Sequence, residues 1–217
     1  MIPSGWTLEN ELGRSVELGW FTLTGVTVVE RSSELDAEVD QVIGELQARY
    51  AGPSDAAAWL EPARRLYRTL GIDPSRRRPA SEALLRRILQ GKGLYRVNSA
   101  VDAANLASLA LAFPVGLYDL DRIESPERRI VLRLGRAGES YPGIGKDDIH
   151  LEDRPCLVDH LGPFGNPSSD SFRTRVTVET RSLLFVLYQP SPGIEWRETA
   201  IGTLQRWVGG RLEESTG

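Results

Sequence analysis

Apolar side chains recur with the three-to-four spacing of helices from about residue 33 to residue 111, then give way to short runs with the two-residue spacing of strands. SSELDAEVDQVIGELQARY predicts a first helix with a serine cap and with Leu35, Val39, Val42, Ile43 and Leu46 on one face. Gly52-Pro53 breaks it before a second helix over Ala56 to Leu70. GIDPSRRRP reads as a loop, after which Pro79 starts a third helix, SEALLRRILQ. Its Leu84, Leu85, Ile88 and Leu89 face inward, Arg86 and Arg87 point away, and Gly91 and Gly93 stop it. A fourth helix runs through NSAVDAANLASLALAF, with Ser99 and Asp102 in capping-box spacing and Pro114 at its end. VELGWFTLTGVTVVE, residues 16–30, predicts one strand or a tight hairpin, and RRIVLRL, RPCLVDH, RTRVTVE and LLFVLYQ predict further strands, the last of them central. EWRETAIGTLQRWVGGRL closes the chain as a surface helix with Ile201, Leu204 and Trp207 at helical spacing, and the EESTG tail is expected to fray. Helices first and strands later, without regular alternation, predict an α+β fold, and no composition break divides the 217 residues into more than one domain.

The fourth helix contains an anomaly. Asn98, Asp102 and Asn105 fall on one face at roughly 100° per residue, yet their neighbours are Val101, Ala103, Ala104, Leu106, Ala107, Leu109 and Leu111. So apolar a helix is expected to be buried, and an unpaired buried polar group costs roughly 1–3 kcal/mol. The three polar side chains therefore either prop up a neighbouring loop or face a ligand.

Charge changes the picture more by its distribution than by its sum. The chain has 26 basic and 30 acidic residues, a net charge of −4, but Arg64 to Arg96 holds ten basic residues against only Asp73 and Glu82. One reading is the solvated faces of two helices and a loop. The other is a phosphate-binding patch made by Arg76, Arg77 and Arg78 with Arg86, Arg87 and Lys92. Cys156 is the only cysteine, which excludes an internal disulfide and fits a reducing, cytoplasmic setting. MIPSGWTLENEL lacks a signal pattern, and the longest apolar stretch, Leu106 to Tyr118, is broken by Pro114 and too short for a bilayer, so no membrane association is expected. One cysteine and two histidines give no recognisable metal spacing, and no cofactor motif appears.

Familiar catalytic signatures fail on spacing. GIGKDD resembles part of a phosphate loop, but Ser140 stands where the first glycine is needed and Asp147 where Ser or Thr should be, so it reads as a turn. No G-x-S-x-G elbow exposes a serine. Asp159 and His160 are adjacent on a predicted strand and so point to opposite faces, which keeps them from forming a simple dyad. RTRVTVET alternates Arg173, Arg175, Thr177 and Glu179 with Thr174, Val176, Val178 and Thr180, the pattern of an edge strand with one wet face.

The run R-V-N-S-A-V-D-A-A-N-L…L-A-F-P-V-G-L-Y-D-L-D-R-I, Arg96 to Ile123, resembles the phenylalanyl-tRNA synthetase beta-chain signature R-x-N-P-x-V-D-x-T-N-Y…G-x-P-L-H-A-F-D-L-D-K-I. The later V-T-V-E-T-R-S-L-L-F-V, Val176 to Val186, is similar to that family's V-T-x-x-T-x-N-V-L-L-E. Together they cover roughly residues 75–190 and belong to the B3/B4 domain; residues 1–70 match nothing usable. The resemblance implies a stand-alone three-layer α+β domain, with β-sheets packed against helices, that binds tRNA or aminoacyl-tRNA. It implies a pocket formed around Asn98, Asp102, Asn105, Gly116, Asp119, Asp121, Thr177 and Thr180. Two departures bear on activity. Gly116 stands at the signature's histidine, and GPFGNPSSDSFR replaces the family's Gly-Gly-Glu. Hydrolysis of mischarged tRNA in trans is one implied activity, with Asp159, His160 and Asp170 as candidates to hold water. The alternative is a non-catalytic module for a small amino-acid-like ligand or a protein partner.

Overall fold

The computed structural model describes residues 5–145, 147–190 and 192–213. Five α-helices, α1 (Ser33–Arg49), α2 (Ala57–Thr69), α3 (Ala80–Leu89), α4 (Ser99–Leu111) and α5 (Arg197–Val208), accompany ten short strands among these residues. One sheet has the order β10-β2-β9-β3, from β10 (Arg211–Glu213), β2 (Glu17–Thr24), β9 (Ser182–Gln189) and β3 (Val115–Asp119), with all neighbours antiparallel. The second has the order β1-β4-β7-β8, from β1 (Thr7–Asn10), β4 (Arg129–Leu134), β7 (Pro155–Asp159) and β8 (Gly162–Gly165); here β1 runs parallel to β4. A hairpin of β5 (Ser140–Pro142) and β6 (Asp148–His150) stands apart. The fold is mixed α+β.

Strand register explains the layering. Phe21 pairs with Phe185 and Leu117 lies opposite the same Phe185, so these side chains share one face. Trp196, just ahead of α5, stacks against Phe21 and Phe185 there, and α4 packs beside α5. The alternate residues point the other way: Tyr118 meets Phe164 of β8 edge to face at 5.1 Å between ring centroids. Helices thus cover one side of the first sheet and the second sheet covers the other, with Phe21, Tyr118, Phe164, Phe185 and Tyr188 fully buried between layers. β9 is central, as its uninterrupted apolar run predicts.

Most helix boundaries follow the sequence. Ser32 caps α1 by accepting from the Leu35 N–H at 3.3 Å. The fourth helix differs by one residue from expectation: its cap is Asn98, not Ser99, and Asn98 Oδ1 accepts from the Val101 N–H at 3.0 Å. Ser99 instead exchanges two hydrogen bonds with the Val29 backbone. Asp102 reaches back to accept from the Val97 N–H at 3.0 Å and from Arg96 Nε at 3.0 Å, while Arg96 also binds Asp36 of α1. The polar stripe therefore ties the start of α4 to the segment that enters it and to the neighbouring helix.

Glu82 on α3 is 1 % exposed and would be costly there alone; Arg64 of α2 grips it through two 2.7 Å bonds and Arg86 through a third at 2.6 Å. Arg86 therefore bends back onto its own helix rather than pointing away.

The strand predictions are less regular. Within residues 16–30 only Glu17–Thr24 forms a strand, which stops before Gly25, whose φ of +69° suits glycine, and no hairpin follows among the described residues. RTRVTVE is not a strand but part of an irregular segment between β8 and β9. The alternation holds only in part, with Thr174, Val176 and Thr180 buried and Val178 exposed. GIGKDD contributes to the turn between β5 and β6, although Lys146 lies outside the described residues. Of the EESTG tail, Glu213 ends β10 and residues 214–217 lie outside the described residues. No helix among the described residues is long and apolar enough to cross a membrane.

Two measurements check these ties. Asp102→Ala leaves the Val97 N–H and part of Arg96 without a partner, and urea unfolding should show a loss of about 2–4 kcal/mol. Glu139 is held down to about 2 by the Arg133 guanidinium, at 2.7 Å, against an ordinary value of 4.5. A depressed carboxyl contributes stability above its unfolded pKa that is lost as pH falls through the folded one. Glu139→Gln should therefore unfold at lower urea than the parent at pH 7, with the gap closing as pH drops from 4.5 towards 2.

Candidate functional site

The β3 strand decides what lines the cleft beside it. Val115 and Leu117 face α4, while Gly116 and Tyr118 face the second sheet, as the two-residue strand period requires. Together with Ala80, Ala83 and Leu84 of α3 and Ala104, Asn105 and Ser108 of α4, the two apolar side chains enclose a cleft of about 480 Å³. Small residues on α4 leave the room. Ser168, Asp170, Arg175 and Val176 supply the remaining wall from the irregular segment, and Ile144 and Val97 form part of the rim. Apolar walls with a few convergent polar groups are typical of a small-ligand site of this size.

The irregular segment is held by side chains. Asn166 Oδ1 accepts from the Ser168 and Ser169 N–H groups at 2.8 and 3.0 Å, and its amide donates to the Tyr141 hydroxyl at 2.8 Å. Tyr141 donates in turn to the Ser169 carbonyl, and Tyr67 of α2 donates to the Pro167 carbonyl at 2.7 Å. Further along, Asn98 Nδ2 donates to the Val176 carbonyl at 3.2 Å. Thr180 Oγ1 donates to Asp119 at 2.7 Å and accepts from the Thr177 N–H at 3.0 Å. The Asp119 backbone N–H donates to Thr174, and its carboxylate also accepts from the Asp121 N–H.

Asp170 is the exception in this segment. Its Oδ1 is shut from solvent and has no hydrogen-bond partner among the described residues, although the residue lines the cleft. Burial pushes its carboxyl up to about 7, with the Tyr118 hydroxyl pulling partly the other way. Tyr118, Tyr141 and Tyr188 surround it, and burial raises each phenol above its ordinary value, so all three stay protonated. The Tyr118 and Tyr188 hydroxyls lie 3.4 Å apart.

The residues expected in one pocket have different roles. Asn105 lines the cleft directly. Asn98, Asp102, Asp119 and Thr180 shape it through the hydrogen bonds above, without lining it. Thr177 Oγ1 accepts from the Glu179 N–H, and Asp121 is exposed in a separate groove beside Trp6 and Trp20. Gly116 faces away from the cleft, and a Cβ there would run into the Tyr118 hydroxyl; Gly165 abuts the same atom. Tyr118 thus fills the space a side chain at 116 would occupy.

The three candidates for holding water are also separated. Asp159 accepts from the Glu124 and Leu161 N–H groups and from both Arg173 terminal nitrogens, so its carboxylate is fully engaged in structure. His160 is exposed and shares with Asp159 a wider charged groove of about 610 Å³. Acidic and basic side chains neutralise each other there: Arg133 pairs with Glu139, Arg129 with Glu9 and Asp159 with Arg173. Of the three candidates, only Asp170 lines the cleft and carries an unmet polar atom. Cys156 is buried, with its thiol pushed up to about 12 by burial, and is inert.

The basic run spreads over several surfaces. Arg76, Arg78 and Lys92 are exposed, with Arg76 only loosely near Asp73 at 3.6 Å. Arg77 borders a small crevice with His150 and Arg154, Arg86 is committed to Glu82, and Arg87 lies 3.7 Å over the Tyr95 ring. The sequence named Asp170 as a candidate but not Arg175 or Ser168, which line the same cleft, because a predicted strand gave no reason for residues 168–176 to curl around a cleft.

A search of curated proteins gives no match. The crystal structure of an N-terminal fragment of the phenylalanyl-tRNA synthetase beta-subunit from Pyrococcus horikoshii is similar with a TM-score of 0.48 and 14% sequence identity. That likeness covers 98% of this chain and 51% of the fragment, so the chain spans about half the fragment's length. The model of the B3/4 domain family matches residues 62–202, from within α2 into α5. That match takes in more than half of the chain, including every residue that lines the cleft, and the chain belongs to the B3/4 domain family.

Proposed function

We propose that this protein binds aminoacyl-tRNA, takes the aminoacylated 3′ end into the cleft between α3, α4, β3 and the 166–181 segment, and hydrolyses a wrongly attached amino acid. Asp170 carries the reading. A carboxyl titrating near 7 with a free oxygen beside an apolar cleft is suited to general-base work at neutral pH. Asp170 takes a proton from water, the hydroxide adds to the ester carbonyl carbon, and the tetrahedral intermediate expels the ribose oxygen, which recovers the proton from Asp170. Asn105 is the donor available to the developing oxyanion, while Arg175 is held over the Phe172 ring. A covalent route is disfavoured because the cleft's Ser108 hydroxyl already donates to the Phe113 carbonyl at 2.8 Å. Editing makes chemical sense because a single synthetic site separates similar side chains poorly.

A second reading is favoured by position 116. Glycine stands there where the signature has histidine and it faces away from the cleft, so β3 brings no imidazole to the site, and the cleft then serves as a non-catalytic module for a small amino-acid-like ligand.

Incubation with a panel of mischarged tRNAs separates the two. The deacylase reading expects release of amino acid, with a rate that rises as pH passes through about 7 and is lost in Asp170→Asn. No release above a no-protein control from any member of the panel would overturn it. Loss of folding is excluded by the sign of the stability change. An acid with a raised folded pKa weakens the native state once pH exceeds its unfolded value. Asp170→Asn should therefore melt at least roughly 2 °C above the parent at pH 8 and no higher than it at pH 3.

Replacing Arg76, Arg77 and Arg78 together by Glu should weaken tRNA binding and flatten its dependence on salt by about one unit of log–log slope per phosphate contact removed. Unchanged binding would take the segment out of the interface.

A further inference from the structure

Two exposed aromatic rings stand at the rim of the cleft, and each carries an arginine. Among the described residues, Tyr95, 66% exposed, and Phe172, 48% exposed, are the aromatics in the set of large apolar side chains left open to solvent. The Arg87 guanidinium lies 3.7 Å from the centre of the Tyr95 ring, and that of Arg175 lies 3.5 Å from the centre of the Phe172 ring. Arg175 itself lines the cleft. Arg87 follows Ala80, Ala83 and Leu84 at the i, i+3, i+4, i+7 spacing of one helix face, so it extends the α3 wall of the cleft outward. Tyr95 is two residues from Val97, on the rim, and the Phe172 N–H donates to Pro142, two residues from Ile144 on the other part of the rim.

The charges at these two places are open. Arg64, Arg86, Arg96, Arg129, Arg133 and Arg173 all pair with carboxylates. Neither Arg87 nor Arg175 has a carboxylate partner among the described residues, and Arg87 Nε is buried without any hydrogen bond. Val97 and Ile144, both exposed, complete an apolar rim between the two stacks.

We infer that the rim of the cleft binds unpaired nucleotides, with bases stacking on the Tyr95–Arg87 and Phe172–Arg175 pairs while the arginines meet the phosphates between them. Flat π-surfaces backed by cations fit a single strand, whose bases are free to splay; a paired stem presents phosphates and closed grooves instead. Apolar contact alone would suit a protein partner equally, but two uncompensated guanidiniums select a polyanion. The inference rests on the proposed tRNA reading and deepens it by naming the side chains that hold the bases of the unpaired 3′ end.

Fluorescence anisotropy tests it on deacylated tRNA, intact and with its unpaired 3′ nucleotides removed. Tyr95→Ala and Phe172→Ala should each weaken binding of the intact tRNA roughly 10-fold and leave the trimmed tRNA unaffected, and Tyr95→Phe should restore the parent affinity. Both positions are exposed, so the variants keep the fold. If the parent binds intact and trimmed tRNA equally and neither alanine variant weakens binding, the inference is overturned while the tRNA reading stands. If the parent binds neither RNA at low salt, the tRNA reading itself fails and takes the inference with it.

Discussion

The segment between β8 and β9 makes almost no ladder pairing of its own, and its backbone polar groups have to be met by side chains from elsewhere. Asn98 answers the Val176 carbonyl, Asn166 the N–H groups of Ser168 and Ser169, Tyr67 the Pro167 carbonyl, and Thr180 the Thr177 N–H. Asp119 links the system to β3 through Thr180 and Thr174. A loop satisfied in this way is fixed nearly as firmly as a strand while keeping a path no strand can take. Curling around the cleft depends on it, and so does the placement of Ser168, Asp170, Arg175 and Val176 in the wall.

Full satisfaction of its neighbours gives the unsatisfied oxygen of Asp170 its meaning. Buried polar atoms are nearly always paired, and here five neighbouring demands are met while one acceptor in the cleft wall is left open. By the same comparison Asp159, which accepts four hydrogen bonds, is part of the frame. Two carboxylates that look alike along the chain differ in what surrounds them.

Much of the helical half was legible because its signals are local. Ser32 as a cap, Gly52-Pro53 as a break and the apolar spacing of Leu85 and Ile88 depend on residues a few positions apart. β9 was equally plain, since a strand buried on both faces needs an unbroken apolar run. RTRVTVE failed because alternation alone cannot tell a strand from a loop whose alternate residues are pulled inward by distant partners; Asn98 and Asp119 lie far from it in sequence. Short β1, β8 and β10 gain their identity from pairing, not composition. The stripe on α4 marked a helix that lines the cleft, but whether a polar residue there was frame or lining depended on the loop it met. Asn98 and Asp102 proved to be frame, and Asn105 lines the cleft.

Tyr118 sits in a notch made by two glycines far apart in the chain, and its hydroxyl leaves no room for a Cβ on either Gly116 or Gly165. The three positions are therefore coupled. A side chain fits at position 116 or 165 only if the tyrosine gives up its ring's place, and shrinking the tyrosine alone opens a void between the sheets. Either single substitution costs stability, so tolerated changes at these positions come together.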